Sequence, residues 1–203
     1  MSTDLTSTSL IALIISILIS LVIHEFMHAY AGYLLGDATA REQGRLSLNP
    51  LHHIDPFMTI LLPIVTALLF GFPILAAKPV PFNPDRVKFN EFGAALIAAA
   101  GPVSNLVLAV IGALIFPHVQ PGFFSTLLDT FTVLNVALFV FNIIPIPPLD
   151  GSRILYAFAP EPLQQLMSDI EPYGLIIVFA LVLGFGLGGL LQNVDQFIIN
   201  LLP

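Results

Sequence analysis

Two histidines four residues apart with a glutamate between them, His24-Glu25-Phe26-Met27-His28, form an HExxH pattern inside an otherwise apolar run. On a helix, positions i and i+4 project from one side a turn apart, so the two imidazoles can grip one Zn²⁺ at about 2.0–2.1 Å per bond. Glu25 is then placed to take a proton from the water that the metal activates and pass it to the leaving nitrogen of a peptide. The bland alternative is that these side chains only pack a helix. Two imidazoles and a carboxylate within one turn are costly in hydrocarbon, however, and ionisable groups there mark functional sites.

The chain has no cysteine, so a metal must be held by His, Asp or Glu. A catalytic zinc keeps three protein ligands and one open position. The third ligand is expected from Asp150, which follows the proline-rich stretch 142–149. Irregular backbone at the end of a membrane helix is tolerated only where it is buried in protein or lines a polar cavity. The competing role for Asp150 is a helix N-cap. His52, His53 and Asp55 offer a rival ligand set, but adjacent histidines point in different directions, and the flanking Asn49-Pro50 and Asp55-Pro56 read as turns.

The elements that must position these residues are membrane segments. Of the 203 residues, 57% are hydrophobic and 9% charged, with a mean hydropathy of +0.94, whereas soluble domains carry about a quarter charged residues. The net charge of -7 is scattered between apolar runs, and no basic cluster invites nucleic acid. Crossing about 30 Å of hydrocarbon takes about 20 apolar residues. Four runs meet that length, at 10–35, 92–116, 124–144 and 173–191.

A fifth run, 57–77, is long enough but contains Pro63, Gly71 and Pro73, which break or kink a helix, so it could span or dip in and return. Residues 78–84, KPVPFNP, are expected to be extended, and 152–170 to form shorter amphipathic helix at the membrane surface. The fold class is therefore an all-α polytopic membrane protein, with about four full transmembrane helices, and a single domain over 1–203. The N-terminal residues carry no Lys or Arg, so the first run is expected to be retained rather than cleaved as a signal peptide. On that run Ser16, Ser20, His24 and His28 recur every four residues, followed by Gly32 and Gly36. This stripe either packs closely against other helices or walls a wet cavity, and both place it inward.

Three motifs in order resemble the site-2 protease family of intramembrane zinc metalloproteases, over nearly the whole chain. His24 to His28 looks like the family's zinc helix, Gly101-Pro102-Val103-Ser104-Asn105 like its GPxxN helix, and Asn142 to Gly151 like its NxxPxxPxDG segment. The resemblance implies one Zn²⁺ per chain on His24, His28 and Asp150, with Asn142 positioning substrate or stabilising the oxyanion. It also implies hydrolysis of single-pass transmembrane protein substrates in the lipid bilayer, with regulation left to membrane partners. Read without it, Gly101-Pro102 is a helix kink, and Asn105 and Asn135 are interhelical hydrogen-bonding residues.

If Asp150 is to reach His24 and His28, helix 92–116 must leave the zinc face and helix 124–144 return to it. Run 57–77 then adds no net crossing. Arg41, Arg45, Lys78, Arg86, Lys88 and Arg153 all fall on that one face, which the enrichment of Lys and Arg in cytoplasmic loops makes the cytoplasmic one, with the N-terminus outside. The rival functions are a metal or proton transporter and a non-catalytic membrane binding protein. A transporter would more naturally show paired broken segments in two related halves, which are not seen, and binding alone would not need a base beside the metal.

Overall fold

The computed structural model describes residues 7–53, 61, 80–184 and 187–202. Three helices are long and apolar enough to cross a membrane: α1 (Ser7–Leu34), α3 (Asn90–Ile115) and α4 (Phe123–Asn142). A short helix α2 (Thr39–Glu42) follows α1, and the chain continues after α4 through α5 (Asp150–Phe158), α6 (Glu161–Ile170), α7 (Gly174–Gly184) and α8 (Leu187–Ile199). No strand is found among the described residues. The expected run 173–191 is represented by α7 and the start of α8, with 185–186 outside the described residues. The expected segment 57–77 also lies outside them, save for the single position 61.

α1, α3 and α4 pack against one another in all three pairings, and α5 lies against α3. The burial pattern is that of a membrane bundle, with apolar side chains outward and small or polar ones inward. On α1, Ser16, Ser20, His24, His28 and Gly32 are buried while Leu10, Ile14 and Leu18 are exposed. On α3, Gly93, Ala94, Ile97, Ala98, Gly101, Pro102, Asn105 and Gly112 face in, while Leu96, Val103, Val107 and Leu114 face out. The small-residue stripe expected on α1 is therefore an inward face.

Loop chemistry fixes where the helices end. α1 closes in a Schellman arrangement: Gly36, at φ +101°, donates to Tyr33 O (3.2 Å) and Asp37 N donates to Gly32 O (2.9 Å). Gly44, at φ +70°, repeats it after α2, with Arg45 N donating to Ala40 O (2.7 Å). Asn49 caps the turn Pro50–His52 through Leu51 N (3.1 Å), as the Asn-Pro pair predicts. Residues 80–83 have no regular structure, in line with the extended reading, but Pro84 opens a 3₁₀ turn, Pro84–Arg86, so the extended stretch is shorter than 78–84.

Two contacts tie this stretch to the end of α1. Asn83 N donates to Asp37 Oδ2 (2.7 Å) and Lys88 N donates to Leu35 O (2.8 Å). The start of α3 thus lies beside the end of α1. The amphipathic reading of 152–170 resolves into two helices, α5 and α6, separated at Ala159 and Pro160.

Candidate metal centre

The proline-rich stretch after α4 turns tightly, with Ile146 N donating to Ile144 O and Leu149 N to Ile146 O, both at 2.9 Å. A Cβ on Gly151 would lie 2.2 Å from Ile143 O. Only glycine lets the first turn of α5 close onto the last turn of α4, which carries the preceding Asp150 to α1. Asp150 is the first helical residue; the N-cap is Leu149, and no side-chain cap bond forms. Its carboxylate is thus not spent on capping.

Among the described residues, His24, His28 and Asp150 form a group whose ligand atoms all lie within 4.8 Å of one another. His24 Nε2 and His28 Nε2 are 3.0 Å apart, and Asp150 Oδ2 is 3.3 Å from each. Tetrahedral bonds of about 2.0–2.1 Å to one zinc put ligand atoms about 3.3 Å apart, so the spacing fits that metal. The electron pairs fit too. His28 Nδ1 donates to Ile97 O (2.8 Å), and since a carbonyl only accepts, Nε2 carries the lone pair. His24 Nδ1 likewise faces Asn105 Oδ1 at 2.6 Å.

Two imidazole lone pairs and a carboxylate oxygen therefore converge, and Asp150 Oδ2 is buried with no hydrogen-bond partner. With both imidazoles neutral, three acceptors so placed are stabilised by a cation among them.

The space for this group comes from α3. A Cβ on Gly101 would lie 2.3 Å from His28 Nε2 and 2.7 Å from His24 Cε1. In the sequence alone Gly101-Pro102 reads as a kink; Pro102 does remove a helix hydrogen bond, but the glycine's effect is to leave room for both imidazoles. Glu25 is buried on the same helix, between the two histidines in sequence.

His53, one of the rival ligand set, is buried with its Nε2 donating to Ser47 O (2.7 Å), while His52 Nδ1 donates to Gly44 O (2.6 Å). Both are turn residues, and Asp55 lies outside the described residues. Asn142 is half-buried, and its Nδ2 donates to Leu138 O (2.9 Å) in its own helix. Asn105, read from sequence as purely structural, touches His24 directly. Its place in GPxxN, one turn beyond Gly101, was the available signal.

The profile of peptidase family M50 matches residues 117–185, a stretch that contains Asn142 and Asp150. The chain is 42% identical over 179 residues to a Bacillus subtilis protein named "Putative zinc metalloprotease YwhC", covering 83% of this chain and 78% of that one. It is 31% identical over 172 residues to a Mycolicibacterium smegmatis protein named "Putative zinc metalloprotease Rip2", covering 82% of this chain and 64% of that one. No solved structure matches.

Proposed function

We propose, for a chain that belongs to peptidase family M50, the site-2 protease family of zinc metalloproteases, that it hydrolyses peptide bonds of single-pass transmembrane proteins within the bilayer, with Glu25 as general base. The observation that carries this reading is the convergence of three potential ligand atoms, from His24, His28 and Asp150, within 4.8 Å of one another beside a buried glutamate in an apolar bundle. These three residues would hold the zinc. Zinc bound there supplies a Lewis acid for the scissile carbonyl and a water that ionises near neutral pH.

Glu25 would act as the base, accepting a proton from the attacking water and passing it to the leaving nitrogen. Asn142 is the candidate donor toward the carbonyl oxygen, by turning one N–H away from Leu138 O. A helical substrate hides its carbonyls in i to i−4 bonds and must unwind before attack. Residues 80–83, extended and held to the end of the zinc helix through Asp37, would receive the unwound substrate as an added strand.

The orientation follows from the loops. Arg41, Arg45, Arg86 and Lys88 lie on the side where α1 ends and α3 begins, whereas the loop from Phe116 to Gly122 between α3 and α4 has no Lys or Arg. We therefore place the zinc toward the cytoplasm and the N-terminus outside. The testing experiment is mass spectrometry of membrane-protein fragments from cells carrying the active chain or Glu25→Gln. Fragments cut inside transmembrane segments should accumulate with the active chain alone; identical fragment sets contradict the reading.

A further inference from the structure

Asn135 stands on α4 and touches none of the three candidate ligands, yet hydrogen bonds connect it to one. Its Nδ2 donates to Phe131 O and to Ser20 Oγ, both at 2.8 Å. Its Oδ1 accepts from Asn105 Nδ2 at 2.9 Å, and Asn105 Oδ1 faces His24 Nδ1 at 2.6 Å. Ser20, Asn105 and Asn135 are wholly buried. The bland reading is interhelical glue, which polar side chains commonly supply between membrane helices.

The direction of the bonds goes further than glue. An amide side chain can be turned over, so its orientation must be read from its partners. Phe131 O only accepts, so the NH₂ of Asn135 points to it and Asn135 Oδ1 faces Asn105. Asn105 must then give its own NH₂ to Asn135 and turn its oxygen to His24. That oxygen takes a hydrogen from Nδ1, which leaves His24 Nε2 bare on the side of His28 and Asp150. His28 needs no such relay, because its Nδ1 donates to a backbone carbonyl directly.

We propose that Asn135 is a positioning residue of the metal centre: the relay Phe131 O, Asn135, Asn105 fixes His24 in the tautomer whose Nε2 can bind zinc. This rests on the reading of His24 as a zinc ligand. With Asn135 removed, the Asn105 amide is free to turn over and offer its NH₂ to His24 Nδ1. The ring hydrogen then moves to Nε2, where it blocks the metal. Three spans are coupled in this way to the geometry of one ligand.

The test uses the full chain in detergent and reads zinc affinity by competition with a chromophoric chelator. Asn135→Leu fills the same space without polar groups and should weaken zinc binding about 10–100-fold, the range for outer partners of metal-bound histidines. Ser20→Ala removes one acceptor but leaves Phe131 O to hold the amide, so its affinity should stay near wild type. Adding Asn105→Asp to Asn135→Leu should restore most of the affinity, because a carboxylate accepts from Nδ1 whichever way it turns.

In the zinc-free wild-type protein, ¹⁵N NMR should find the His24 hydrogen on Nδ1, a result that needs no variant to fold. A hydrogen on Nε2 in wild type, or unchanged zinc affinity in Asn135→Leu, overturns the proposal. Equal losses in Ser20→Ala and Asn135→Leu without restoration by the double variant would reduce the network to packing. Wild-type protein that binds no zinc would instead strike the ligand reading itself.

Discussion

Asp150 Oδ2 lies 3.3 Å from His28 Nε2, although the two residues belong to helices far apart along the chain. The contact forms because Gly151 lets α5 close onto α4, and it brings a carboxylate oxygen and an imidazole nitrogen close enough to share one metal ion. Purified protein should carry close to one zinc per chain, and both His28→Ala and Asp150→Ala should lose most of it. Metal analysis by mass spectrometry decides. Full zinc occupancy in both variants would remove the ligand assignment.

Gly101→Ala tests the site without touching a ligand. The added methyl would sit 2.3 Å from His28 Nε2 and 2.7 Å from His24 Cε1, so both rings must shift from their present positions. Overpacking of this kind costs about 1–3 kcal/mol, and here the displacement falls on the imidazoles. Zinc affinity should drop at least about tenfold, the lower end of what disturbed ligand support costs, with helix content by circular dichroism retained. Wild-type zinc affinity in the Gly101→Ala variant would show that the rings have slack.

The HExxH spacing made two candidate ligands and a candidate base legible in the sequence, because i, i+4 geometry is local. Asp150 was legible only as a candidate, since its competing role as a cap is settled by Leu149 taking the N-cap position. Asn105 and Asn135 read as interhelical hydrogen-bonding residues, and they are. Which partner each has depends on helix register, which a single chain does not encode in any short window, so the contact to His24 stayed hidden. Gly101 shows the same limit: glycine beside proline suggests a bend, while its closeness to two imidazoles appears only when α1 and α3 are packed. Among the described residues the three central spans match their apolar runs to within a few positions. The run at 173–191 reads from hydropathy as one full span, and among the described residues it carries α7 and the start of α8.

Asp37 anchors the proposed substrate strand and gives it a pH dependence. Burial disfavours its charge, but hydrogen bonds from Thr39 and from Asn83 N, with Arg86 nearby, outweigh that and hold the carboxyl below its ordinary value of 3.8. A depressed folded pKa contributes stability that is fully present above the unfolded value and lost as pH falls through the folded one. Asp37→Ala should cost about 1.5–3 kcal/mol, the range for a hydrogen-bonded charged group. Between pH 6 and pH 3 the melting temperature of wild type should fall further than that of Asp37→Asn. Parallel pH curves would contradict the anchor. Cleavage of a folded transmembrane substrate should also fall in Asp37→Ala while zinc content stays unchanged.

The absence of native cysteine makes topology directly measurable. Cysteines placed singly at the exposed positions 88 and 120 lie at opposite ends of α3. In intact cells a membrane-impermeant maleimide should label Gln120→Cys and spare Lys88→Cys until the membrane is opened. The reverse pattern would put the zinc on the outer face.

Glu25 is the residue on which the hydrolytic reading depends most directly, and Glu25→Gln separates its chemistry from its shape. The variant should hold zinc at the wild-type level while cleavage of a transmembrane substrate in a single-turnover assay falls by about 10²–10⁴-fold, the share general base catalysis commonly supplies. Zinc content and cleavage rate measured on the same purified samples, wild type beside Glu25→Gln, give the answer. Retained zinc with lost cleavage is the expected result; cleavage at the wild-type rate by zinc-loaded Glu25→Gln would contradict it.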